Sequence, residues 1–174
     1  PTMEFFQTLP GVFSGASLDH AEYASDSLLK LTRDNVEVSH LDASVLERFR
    51  KANIITLRAV RELHSRGNRF LAGCDGQVPG FCLHDELAWF TRAGFSPLEA
   101  LQTATINPAR FLGREGSQGA IEAGKRGDVV LLDADPTTDI RNTTRIAAVV
   151  LRGRLVNRST LNRIVANHRR QPGR

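Results

Sequence analysis

Cysteine is almost missing from this 174-residue chain, which contains only Cys74 and Cys82. The residues between them include Gly76, Pro79 and Gly80, a spacing that fits neither a CxxC pair nor a disulfide framework, so both read as reduced thiols. Long apolar runs are missing too. Nothing approaches the ~18 to 20 continuous apolar residues of a membrane span, and no basic stretch leads into an apolar one near the start, so neither span nor secretory signal is expected. The sequence therefore predicts a cytoplasmic protein. Aromatics amount to 6% of residues and are not interleaved with basic ones, and no zinc-finger or RNP-like spacing occurs, which argues against a nucleic-acid partner. The five histidines, His20, His40, His64, His84 and His168, contain no HxH or HExxH pair.

What is present suits a folded domain. An apolar share of 41% and a mean hydropathy of -0.25 allow a buried core in a chain one to one and a half ordinary domains long. The net charge of +4 is scattered, with Lys and Arg interleaved among Asp and Glu; only the tail from Arg158 to Arg174 is basic without acids, and such a tail reads as a solvated end. The first residue is Pro1 and not Met, which reads as a processed product or a piece of something longer.

Two kinds of pattern divide the chain. Asp19 or Ser25 could cap a short helix bearing Leu28, Leu29 and Leu31. From Asp42, apolar residues recur at three- to five-residue intervals (Leu46, Phe49, Ile54, Leu57, Val60, Leu63), which predicts a helix that Gly67 stops. Residues 69–75 then read as a strand ending in Asp75, followed by the turn-rich loop Gly76 to Gly80 and a helix from about Leu83 to Ala93. Ser96-Pro97-Leu98-Glu99 is a capping box with proline at the first helical position, and that helix should stop before Asn107-Pro108. A further helical turn closes at Gly113. Beyond it, glycine-rich turns separate short apolar runs at 128–133, 145–151 and 155–156, the pattern of a small antiparallel sheet, and 161–167 reads as a short helix. Residues 1–113 thus form an α/β portion and residues 114–174 a β-rich one.

Asp75 is the residue to explain. In parallel α/β sheets, chemistry is built at the C-terminal ends of strands, where the loops converge. On that pattern alone an Asp is more often a turn former or a helix cap.

Several motifs together take the reading further. Leu71-Ala-Gly-Cys-Asp75, Pro79-Gly80 with Leu83-His84-Asp85-Glu86-Leu87, Ala93 to Leu101, Ala104-Thr-Ile-Asn-Pro-Ala109, Gly119 to Lys125 and Asp128 to Asp133 resemble, in order, the C-terminal half of metal-dependent amidohydrolases of the imidazolonepropionase-like and Xaa-Pro dipeptidase-like branch. The resemblance implies an α/β fold, the C-terminal part of a (β/α)8 TIM-like barrel over residues 1–113 plus part of a small β-sandwich domain over 114–174. It implies one or two divalent ions, usually zinc, at the C-terminal ends of the barrel strands. Asp75 matches the aspartate ending the eighth strand, which ligates a metal, takes a proton from the water the metal activates and passes it to the leaving nitrogen. The loop from Gly76 to Cys82 would border the substrate. Gly80 could let backbone come close to it or could simply turn the chain, and His84 could face the site or fill space.

The chain also departs from the family. A complete site needs HxH on the first strand, a carboxylated Lys or a Glu on the fourth and His on the fifth and sixth, and Cys74 stands where Thr or Ser is more usual. One carboxylate does not hold zinc at useful affinity, so this chain is expected to bind no metal and to be inactive alone. About two strands of eight would leave sheet edges and helix faces for the remainder of the barrel, or another copy, to cover. The expected function is hydrolysis of C–N bonds in a small-molecule substrate by metal-activated water, with a non-catalytic binding or dimerisation module as the alternative.

Overall fold

In the computed structural model, the described residues are 42–73 and 80–168 together with Tyr23. The expected N-terminal helix around Leu28 to Leu31, Cys74, Asp75 and the end of the basic tail lie outside them.

Helix α1 (Ala43–Ser65) begins where the Asp42 carboxylate accepts from the Ser44 amide at 3.1 Å, and Arg66 ends it by donating its amide to Glu62 O. Helix α2 (Cys82–Arg92) starts one residue earlier than the sequence predicts. Its N-cap is Phe81, which offers no side-chain cap. Helix α3 (Pro97–Ala104) has the expected capping box: Ser96 Oγ accepts from Glu99 N at 3.3 Å, and Glu99 Oε2 accepts from Ser96 N at 2.7 Å. The helix stops before Asn107-Pro108, as predicted. The helix breaks at Thr105 (φ -125°, ψ -88°), and Asn107 and Pro108 lie inside the next short helix, α4 (Ile106–Phe111). Pro108 occupies the first turn of α4, where the amide it lacks would have no helical partner.

The sheet forms as the sequence predicts. Strands β1 (Val129–Leu132), β2 (Ile146–Leu151) and β3 (Arg154–Asn157) pair antiparallel in that order, with Val130 opposite Val149 and Val149 opposite Val156. Arg152 and Gly153 make the β2–β3 turn, and the Arg152 amide donates to Asp128 Oδ1 at 2.6 Å. Helix α5 (Arg158–His168) follows directly and packs on β2 and β3. A 3-10 helix, Ile140–Thr144, stands where the sequence reads as loop; Asp139 caps it by accepting from the Arg141 amide.

Among the described residues, a core gathers the first three helices and the 3-10 turn. Leu87, Phe90, Ala93, Phe95, Ala100 and Ile140 are buried together, with Leu57 and Val60 of α1 and Phe70, Ala72 and Leu101 packed around them. Phe95 is its aromatic hub, 4.9 Å from Phe90, 5.5 Å from Phe70 and stacked on His64 at 3.7 Å. His64 thus packs on the core face, and its Nε2 lies 3.3 Å from Glu99 Oε1. Cys82 corrects the reduced-thiol expectation: it is buried and disulfide-bonded, and the other cysteine of the sequence lies outside the described residues. No helix among the described residues is long and apolar enough to cross a membrane.

Candidate functional site

The segment of residues 68–73, which leads toward Asp75, forms no strand among the described residues, where a strand is expected over 69–75; positions 74 and 75 lie outside them. Helices hold it instead. The Ala72 amide donates to Thr103 O at 2.9 Å, and Asn107 Nδ2 donates to Phe70 O at 3.1 Å. In an extended chain the carbonyl of one residue and the amide two residues on point the same way, so these two bonds grip a single edge. The side chains alternate to match. Phe70 and Ala72 pack on the core, Phe70 edge-on to Phe90 and Phe95, while Leu71 is exposed.

The break between α3 and α4 makes this grip available. The last carbonyls of a helix lack intrahelical donors. Here Leu101 O accepts from Thr105 Oγ1, Gln102 O from the Thr105 amide, and Thr103 O from Ala72. Thr103 is itself fully buried, its hydroxyl tied to Ala100 O at 2.6 Å.

After the loop, Gly80 has φ +96°, and a Cβ there would meet nothing within 4 Å. It lies in a turn that leads into α2. Phe81 stacks on Tyr23 at 5.3 Å, which brings an N-terminal aromatic to the loop's exit. His84, on the first turn of α2, has Nδ1 3.0 Å from Thr143 Oγ1, and Thr143 donates to Ile140 O at 2.8 Å. Burial pushes the His84 pKa below its ordinary 6.5, so the ring is neutral at pH 7. The structure therefore sets His84 against the 3-10 helix. Glu86, two residues on, is buried at 9% exposure.

Sequence reasoning missed Thr103, Asn107, Thr143 and Tyr23. Asn107 had a signal, since it was visible as half of the Asn-Pro pair, but that pair reads as a helix stop and carries no hint of a tertiary bond. Among the described residues, no three of His, Cys, Asp and Glu come together in a way that could hold a metal ion. Zinc needs three or four such donors, so the described residues alone do not fit one.

Comparison with known proteins supplies the wider frame. The amidohydrolase family model matches residues 14–156. Imidazolonepropionase of Phocaeicola vulgatus is 32% identical over 139 residues, 73% of this chain and 31% of that protein. Adenine deaminase 4 of Rhizobium meliloti is 30% identical over 151 residues, 83% of this chain and 24% of that protein. Among solved structures, a bottromycin amidohydrolase matches with a TM-score of 0.70 over 99% of this chain and 40% of its own, at 22% identity. The chain thus spans less than a third of the length of either of those two relatives. The likeness in structure implies the family's barrel-like α/β fold, here represented by its helices and a small sheet. With the family match running unbroken through the segment gripped by Thr103 and Asn107, this chain belongs to the amidohydrolase family.

Proposed function

We propose that this chain is the C-terminal portion of a hydrolase that cleaves C–N bonds of a small-molecule substrate, with Asp75 as its catalytic carboxylate. The observation that carries this is the anchored extended segment, residues 70–72, which lies inside the family match and runs directly into Asp75. In this reading residues 1–113 are the last strands and helices of a barrel and residues 114–174 a β-sandwich segment. Support for the sandwich comes from a sheet that is apolar on both faces: Val130 and Leu155, on opposite faces by register, are both exposed. No membrane or nucleic-acid partner belongs to this reading.

A divalent metal, zinc by family habit, would supply an acidified water in the complete protein. Asp75 contributes one donor, and the rest come from beyond the described residues. Its own task is to accept the proton of the attacking water and return it to the leaving nitrogen, which suits a short, fixed carboxylate that is ionised at neutral pH. Gly80 and the loop before Cys82 border the substrate, and His84 steadies the helix behind them.

Support for a second reading, a non-catalytic binding or dimerisation module, is the missing donor cluster among the described residues. The full-length gene product, loaded with zinc, separates the two when assayed on imidazolone propionate and adenine, the substrates its relatives' names suggest, and on Xaa-Pro dipeptides, which the resemblance in sequence suggests. Turnover that Asp75→Asn lowers by about 1,000-fold, with unchanged circular dichroism, is expected for the hydrolase. Failure to bind zinc and to turn over any of these substrates leaves the module reading.

A further inference from the structure

We infer that Asn107 is a positioning residue that fixes the approach of the chain to Asp75. The inference rests on the proposal that Asp75 is the catalytic carboxylate. Asn107 Nδ2 and Thr103 O take the Phe70 carbonyl and the Ala72 amide, the same alternate pair that a neighbouring strand would take. A corner between two helices thereby stands in for a strand edge. The anchor lies three residues before Asp75, with only Gly73 and Cys74 between.

The chemistry demands an amide at position 107. Phe70 O can only accept, so the side chain facing it must donate; an isosteric carboxylate would present oxygen to oxygen. The corner is also backed from behind. At Gly119 (φ +93°) a Cβ would lie 2.7 Å from Ala109 Cβ, 3.1 Å from Ile106 Cα and 3.1 Å from Thr105 O, so the loop after α4 closes tightly on the residues that flank Asn107. Thr103 adds a side chain tied inward to Ala100 O, and its carbonyl, at the end of α3, faces the segment. Nothing in this arrangement is needed to build either helix, since both Asn107 Nδ2 and Thr103 O reach out of their own elements.

The test has two readouts. Amide exchange followed by NMR in the chain itself should show the Ala72 amide protected in the native sequence. Asn107→Ala and Asn107→Asp should each speed its exchange at least about tenfold while the β2 amides of Val149 and Val150 stay within about twofold. In the full-length, cobalt-loaded enzyme, Asn107→Asp should lower kcat about 10- to 100-fold with KM changed less than about threefold, and should alter the visible cobalt spectrum, because a carboxylate displaced by an ångström costs about that much. An unprotected Ala72 amide in the native sequence overturns the inference even if both variants fail to fold. So does an Asn107→Asp enzyme with native kcat and spectrum while Asp75→Asn is inactive. If Asp75→Asn remains active, the hydrolase reading itself fails and the inference falls with it.

Discussion

A methyl group added at Gly119 measures how tightly the corner behind Asn107 is closed. Two costs add there. The first is conformational: φ +93° is a region that L side chains avoid, at about 1 to 2 kcal/mol. The second is steric, for the new Cβ would lie 2.7 Å from Ala109 Cβ, on helix α4, and 3.1 Å from two backbone atoms, none of which is the free end of a flexible side chain. Overpacking of that kind costs about 1 to 3 kcal/mol, so Gly119→Ala should cost about 2 to 5 kcal/mol in all. Gly113 separates the two contributions. It also has positive φ, +65°, but a Cβ there meets nothing within 4 Å, so Gly113→Ala carries only the first cost. Urea unfolding of the two variants, followed by circular dichroism, should place Gly119→Ala below Gly113→Ala by about 1 to 3 kcal/mol. Adding Ala109→Gly to Gly119→Ala should recover part of that difference, a coupling that a double-mutant cycle reads directly. If the two alanine variants unfold within about 0.5 kcal/mol of each other, the close approach does not exist and the corner is looser than described.

Two further expectations concern titrating groups. Ser96 holds the Glu99 carboxyl below its ordinary 4.5 through its hydroxyl and its amide, with His64 adding to the effect, so the cap's contribution is complete above pH 4.5 and disappears as pH falls through the lower folded value. Ser96→Ala should cost about 1 kcal/mol at pH 7 and flatten the dependence of the urea midpoint on pH in that acid window. His84 titrates in the opposite sense from a paired histidine: burial lowers its pKa, so the unfolded chain binds the proton first and stability declines as pH drops below 6.5. NMR titration should put the His84 midpoint below that value, and Thr143→Val, which removes the hydroxyl facing Nδ1, should cost about 1 to 2 kcal/mol at pH 7; a midpoint at or above 6.5 would contradict the burial described.

Local chemistry was legible in the sequence wherever it decided the structure. Ser96, Pro97 and Glu99 satisfy one another within four residues, and the helix begins there as predicted. Asp42 and the apolar spacing behind it place α1, and glycine turns place the sheet. Where the decision is tertiary, the pattern misleads. The run Phe70-Leu71-Ala72 has the alternation of a strand, yet its hydrogen bonds go to residues 31 and 37 positions further on, in a helical corner no local rule anticipates. Ile140 shows the same limit. Nothing in Asp139-Ile-Arg-Asn-Thr-Thr has helical periodicity, and a 3-10 turn forms because Ile140 is drawn into the core beside Leu87 and Phe90 while Asp139 caps it. The Asn-Pro rule foresaw a stop before Asn107, and the break comes at Thr105, which satisfies two carbonyls near the end of α3 with its own amide and hydroxyl.

Helix α1 carries the argument about partners. At about 100° per residue, Leu57 and Val60 lie about 60° apart and form the stripe packed on the core. Ile55 lies about 160° from Leu57 and about 140° from Val60, on the far side of the same helix, and is 65% exposed. Ile54, also exposed, widens the apolar arc between the two sides. A surface helix needs one apolar stripe, whereas a helix apolar on opposite sides is suited to burial on both. The sheet repeats the pattern with Val130 on one face and Leu155 on the other. Scattered exposed apolar residues are ordinary, but second stripes on a helix and a sheet within one chain ask for cover. In the reading proposed above that cover is the remainder of the barrel and the second layer of the sandwich, so the surfaces that look unfinished and the donors that are missing have a common origin: both belong to the polypeptide that completes the site around Asp75.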